Sequence, residues 1–106
     1  DLVRSEIVEL IWTAPVTEVI GASPNPFAPR TTLSFSLADA GPARVSIYDL
    51  TGRQVAVLTD RAFEAGGHQV TWDGTGDDGR ALPNGVYLVR LQGGDQVRQA
   101  RVTLVR

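Results

Sequence analysis

Gly85-Val86-Tyr87-Leu88-Val89-Arg90-Leu91-Gln92-Gly93-Gly94-Asp95-Gln96-Val97-Arg98-Gln99-Ala100-Arg101-Val102-Thr103-Leu104-Val105 is the stretch that decides the fold class. Tyr87, Val89 and Leu91 recur at every second position, with Val86, Leu88 and Arg90 between them. Side chains along an extended strand alternate between two faces, so this spacing puts the first set on one side of a sheet. Gly93-Gly94-Asp95 supplies turn residues, and the chain resumes with Val102 and Leu104 opposite Arg101, Thr103 and Val105. Two alternating runs joined by a Gly-rich turn read as a β-hairpin, 85–92 with 96–105.

Working outward, the same period recurs. Leu33, Phe35 and Leu37 alternate with Thr32, Ser34 and Ser36, and Val45 and Ile47 with Arg44 and Ser46. Val55 and Val57 follow, then Val70 and Trp72 around Thr71. Asp39-Ala40-Gly41-Pro42, Thr51-Gly52 and Glu64-Ala65-Gly66-Gly67 fall between these runs, where Gly, Pro and Asp favour turns. The reading is all-β: seven strands at 16–21, 31–37, 43–50, 53–59, 67–73, 85–92 and 96–105. Such short strands with regular turns predict a seven-stranded antiparallel Ig-like β-sandwich. Trp72, Trp12, Tyr87 and Phe35, spaced among aliphatics, read as core, with the Tyr87 hydroxyl bonding a nearby loop backbone as a corner tyrosine does.

Composition narrows the function. The 106 residues make one domain, with ten Arg against eight Asp and four Glu for a net charge of −2. That balance lacks the basic footprint of a nucleic-acid binder. The chain has no Cys, Lys or Met, which excludes thiolate metal sites, disulfides and Schiff-base lysine chemistry. It begins at Asp1, so it reads as processed or cut from something longer. No apolar run approaches the ~18 residues of a membrane span. His68 is the lone histidine, placed beside a turn with no nucleophile elbow, so no catalytic triad is expected. Asp77 and Asp78 are adjacent and point to different sides of an extended loop, unlike the facing carboxylates of a glycosidase. Asp73, Thr75 and Asp77 resemble the start of a calcium loop, but Asp78 and Asn84 stand where an EF-hand needs Gly and Glu. No enzyme activity, cofactor or metal is expected. Protein partners are.

Leu2-Val3-Arg4-Ser5-Glu6-Ile7-Val8-Glu9-Leu10-Ile11-Trp12 is surplus to the seven strands. Residues 1–18 read as an extra N-terminal strand and linker, and 19–106 as the sandwich. Extended, the run reaches on the order of 35 Å and exposes a pairing edge. Three readings stay open: the last strand of a preceding domain, a cover for an edge of its own sandwich, or a strand donated to a neighbouring copy in a head-to-tail homopolymer. Val3, Ile7, Val8, Leu10 and Trp12 are its candidate partner-binding residues.

Five segments in order form a wider pattern: Ser23-Pro24-Asn25-Pro26-Phe27, Val45 to Val55, His68 to Gly74, Leu82 to Leu91, and Val102 to Arg106. Over about residues 19–106 this resembles the C-terminal sorting domains of type IX secretion cargo (type A) and the related Ig-like domain of flagellar hook-capping proteins. The resemblance implies a secreted, cell-surface protein whose last domain is a non-catalytic export and attachment signal read by outer-membrane machinery. It further implies that Gly85, Val86 and Tyr87 and the final strand 97–106, with Arg98, Arg101, Val102 and Leu104, carry that signal. The family's last strand commonly bears Lys, where Arg98 or Arg101 stands here. An edge strand with flanking arginines offers main-chain bonds and charge-assisted contacts to an acidic groove. The competing reading is that the same arginines are only edge protection against aggregation. The alternative function is a structural subunit of an extracellular filament, assembled by strand exchange through residues 2–12.

Overall fold

The computed structural model describes residues 17–26 and 30–105, and these form seven strands and no helix. They are β1 (Glu18–Ser23), β2 (Thr31–Leu37), β3 (Gly41–Tyr48), β4 (Gln54–Phe63), β5 (Gly66–Trp72), β6 (Gly85–Gly93) and β7 (Gln96–Leu104). A three-stranded sheet, β1-β2-β5, faces a four-stranded one, β4-β3-β6-β7, and every ladder is antiparallel. The architecture is the expected all-β, seven-stranded Ig-like sandwich. The extra N-terminal strand expected over residues 2–12 lies outside the described residues.

Period two accounts for the core. Leu33, Phe35 and Leu37 of β2 are buried while Thr32, Ser34 and Ser36 are half-buried. Tyr87, Val89 and Leu91 of β6 and Val102 and Leu104 of β7 complete the apolar layer, with Trp72 from β5. Each fully buried Val, Leu or Phe contributes about 1.5–3 kcal/mol, which the ordering entropy of the chain largely offsets.

The strand ends differ from expectation in particular places. The first strand begins two residues later than read, at Glu18, and the third begins at Gly41 and stops at Tyr48. β4 runs on through Asp60-Arg61-Ala62 to Phe63, because the ladder to β3 continues until Gly41 faces Phe63. Along β4 the buried residues are Ala56, opposite Ile47, and Phe63, and not Val55 or Val57. Bulges at Val45/Ser46 and Ile47/Tyr48 shift the register there and swap which β4 side chains face inward. Ser46, read as solvent-facing, is 0% exposed. It sits on the outer face among Arg44, Arg90 and Tyr48, with the Arg90 guanidinium 4.2 Å over the Tyr48 ring.

Two turns fix the hairpins. At β3–β4 the Asp49 carboxylate accepts from the Thr51 amide at 2.9 Å, the Thr51 hydroxyl at 2.5 Å and the Arg53 amide at 3.1 Å. Gly52, at φ 89°, closes that turn in a conformation a Cβ resists. Gly94, at φ 60°, does the same in the two-residue turn between β6 and β7.

Candidate partner-binding surface

A four-stranded sheet has two edges, and each is a row of backbone groups without a strand beside it. The β4 edge is covered by the connection from β5 to β6. In that loop the Asp77 amide donates to Val55 O at 3.0 Å, and the Asp77 carboxylate accepts from the Val57 amide at 3.0 Å. The loop itself is pinned from the core. Trp72 Nε1 donates to Thr75 O at 3.0 Å, and the Tyr87 hydroxyl donates to Pro83 O at 2.5 Å. The two rings meet edge-to-face with centroids 5.4 Å apart. The corner role expected of Tyr87 is what the structure shows.

The β7 edge is guarded only in part. Regular pairing from Gly93↔Gln96 to Gly85↔Leu104 makes even-numbered β7 residues bond to β6 and turns the backbone of Val97, Gln99, Arg101 and Thr103 outward. The Thr103 amide donates to Asn25 Oδ1 at 2.8 Å, and Val97 O accepts from Arg98 Nη1 at 3.0 Å. Between them the outward groups of Gln99 and Arg101 meet no strand or side chain among the described residues. Val97 is 47% exposed, and neither Arg98 nor Arg101 has a carboxylate partner among the described residues.

The sequence-derived candidates therefore separate. Tyr87, Val102 and Leu104 are 6%, 0% and 0% exposed and point into the core, so a partner at this edge would not touch their side chains. Gly85 and Val86 are half-buried opposite Leu104 and Thr103. Arg98 and Arg101 are exposed and flank the open stretch. Val3, Ile7, Val8, Leu10 and Trp12 lie outside the described residues.

Asn25 and Asp77, the two edge guards, carry roles that sequence reading missed. Asn25 falls inside the Ser23–Phe27 motif, and Asp77 suggests in the sequence only a calcium ligand or one of a carboxylate pair, since neither reveals its target strand by spacing. The calcium-like carboxylates are engaged with the chain: Asp73 Oδ1 accepts from the Thr75 hydroxyl at 2.6 Å, as Asp77 does from Val57. Asp78 turns away to cap the Arg80 amide at 2.9 Å. His68 wedges between Phe35 and Phe63, centroids 5.6 and 4.8 Å away, with Nε2 2.6 Å from Glu64 O. It fills the seam where the chain crosses from β4 to β5. Among the described residues one carboxylate stands out electrostatically. The Thr51 hydroxyl, followed by the Arg53 amide, holds Asp49 below its ordinary pKa.

This geometry defines a class: an Ig-like sandwich whose four-stranded sheet leaves the middle of its β7 edge without a neighbour among the described residues. The chain belongs to the FlgD Ig-like domain family, whose model matches residues 25–96. Among solved structures it is similar to dimeric latent PorU from Porphyromonas gingivalis, with a TM-score of 0.71 and 26% identity over 89% of this chain and 10% of that one. It is also similar to PorZ, an essential surface component of the type-IX secretion system of the same bacterium, with a TM-score of 0.55 and 24% identity over 83% of this chain and 11% of that one. The PorZ likeness shows the fold alone. This chain thus spans about a tenth of each solved chain that it resembles. No curated protein matches it.

Proposed function

We propose that this domain is a non-catalytic sorting and surface-attachment module of an exported protein, read through the β7 edge. The observation that carries the reading is the backbone at Gln99 and Arg101, which meets no strand among the described residues, beside Arg98 and Arg101, neither of which has a carboxylate partner among them. It falls on the strand that the resemblance to type IX sorting domains assigns to the signal. The likeness to PorU supports a secretion-related Ig-like module with an extracellular or cell-surface location. Partners are proteins of the secretion or attachment machinery. An acceptor groove would add a strand to β7 and pair carboxylates with Arg98 and Arg101.

The test is a fusion. The whole chain appended to a periplasmic reporter should carry it to the surface of a cell competent in type IX secretion. Arg98→Glu with Arg101→Glu should abolish that export while leaving thermal stability unchanged. Periplasmic retention of the unaltered fusion refutes the reading. The filament alternative rests on the same open edge, which accepts a strand from another copy as readily as from a receptor. Light scattering separates the two: a monomer favours the sorting module, and a concentration-dependent polymer favours the filament.

A further inference from the structure

We propose that the outer face of the four-stranded sheet is a docking site for an extended acidic segment of a partner protein, one with a carboxylate at every second residue. The site is a diagonal line of three arginines across β3, β6 and β7.

The strand registers draw that line. On this face Arg44 stands opposite Gln92 and Ser46 opposite Arg90, and on the next ladder Arg90 stands opposite Gln99 and Leu88 opposite Arg101. Arg44 and Arg90 are therefore diagonal neighbours across β3 and β6, and Arg90 and Arg101 across β6 and β7. Such neighbours lie about 7–8 Å apart, which strings three cations over about 15 Å. Little on the face neutralises them. Asp60, opposite Arg44, is the one carboxylate in the four strands, and no ion pair joins the two.

Unmet donors mark the same place. Arg44 Nε, Arg90 Nε and the Ser46 hydroxyl are buried and have no hydrogen-bond partner among the described residues. Ser46 is 0% exposed and sits beside both arginines. A buried donor without an acceptor is costly, and these three gather on one patch. Arg44 Nη2 donates to Gln54 Oε1 at 3.2 Å, and the Tyr48 hydroxyl donates to the same oxygen at 3.1 Å. That network steadies the patch and supplies no negative charge. The Arg90 guanidinium lies over the Tyr48 ring at 4.2 Å, an arrangement that leaves its N–H edge for a planar acceptor. A carboxylate seated between Arg44 and Arg90 receives N–H donors from both, with the hydroxyl beneath as a further donor.

Spacing and net charge choose the occupant. Alternate side chains of an extended chain share a face ~6.6–6.8 Å apart, close to the arginine interval, so successive carboxylates meet successive guanidinium groups. A nucleic acid carries charge along its whole length and would also face the rest of a domain whose net charge is −2. An acidic peptide carries charge only where the arginines are. Docking on the face leaves the β7 backbone edge open. It shares Arg101 alone with the sorting reading, and its test involves no export.

The probe is a capped octapeptide of alternating Glu and Thr, titrated into the full chain at low salt and followed by NMR. The Arg44 and Arg90 Nε–H signals should shift together and saturate. Arg44→Gln with Arg90→Gln should weaken binding about tenfold, and Arg101→Gln, at an exposed position, about threefold. Ser46→Ala should weaken it about threefold with no loss of urea stability, since the hydroxyl gives up no partner in the free chain. Arg80→Gln, in the β5–β6 loop, should leave it unchanged. The proposal is overturned if both Nε–H signals stay put at millimolar peptide, or if binding ignores the Arg44, Arg90 and Arg101 variants. An isomer with its Glu residues consecutive that binds as tightly also overturns it. So does a thymidine oligonucleotide that binds more tightly at the same signals, which assigns the face to nucleic acid. Signals that move when the chain alone is concentrated overturn it too, and assign the face to a second copy.

Discussion

Tyr87→Phe removes one atom from a position where three parts of the molecule meet. The phenol donates to Pro83 O at 2.5 Å, and its ring stands edge-to-face against Trp72, which itself holds the loop at Thr75. Phenylalanine keeps the ring and its packing and loses only the donor. A net hydrogen bond contributes about 0.5–1.5 kcal/mol, and Pro83 is exposed enough for water to reach its carbonyl, so the cost should be about 1 kcal/mol. For a domain near this size that lowers Tm by about 4–8 °C. Tyr87→Ala also gives up the ring and should cost about 3–5 kcal/mol, close to the whole stability of a marginal domain. Differential scanning calorimetry with urea unfolding measures both. A Tyr87→Phe chain within about 0.3 kcal/mol of the parent would refute the reasoning, since the loop would then be held by packing alone. Because Tyr87 faces inward, the same variant should still direct export once it is folded.

Leu91→Ala empties the centre of β6 and should destabilise by about 2–5 kcal/mol in urea unfolding. Asp77→Ala uncovers the Val57 amide on β4, and light scattering should show association that rises with concentration where the parent shows none. Asn25→Ala releases the Thr103 amide, whose hydrogen exchange should quicken several-fold while Val102 keeps its protection. Asp49 has its pKa depressed in the fold, so its stabilising effect is present above the unfolded value and is lost as pH falls through the folded one. The urea midpoints of the parent and Asp49→Asn should therefore differ most at neutral pH and converge below pH 3.8. A gap that stays constant down to pH 2 would contradict this.

Alternation made most of the sandwich legible. Leu33, Phe35 and Leu37, and again Val102 and Leu104, were assigned to the core by period two, and side-chain burial follows it. Alternation failed where backbone geometry broke it. The bulges of the β3–β4 ladder, whose extra residues are Leu58 and Val55 of β4, leave no mark in the residue types, so Ala56 takes the inward place that Val55 and Val57 suggest. Asp60-Arg61-Ala62 looks like a turn because its side chains suit water, but a ladder is held by backbone bonds, and Arg61 lies 3.8 Å over the Phe63 ring. The surface was harder to read than the core. A strand edge is defined by which neighbour is missing, and that is a property of strand order. The resemblance pointed to the last strand and its arginines, while the Asn25 and Asp77 guards needed the three-dimensional arrangement.

β1 runs beside β7 in the same sense, with Thr17 near Gln96 at one pole and Asn25 bonded to Thr103 at the other. The chain thus enters the sandwich at one pole and leaves β7 at the opposite one. Tension applied between Thr17 and Leu104 would run along the strands and load their hydrogen bonds in shear, all together, in place of unzipping them singly. Forced rupture is a matter of rate, and a load shared across a whole ladder slows it. A domain strung this way suits a mechanical tether between a burden at one end and an anchorage at the other.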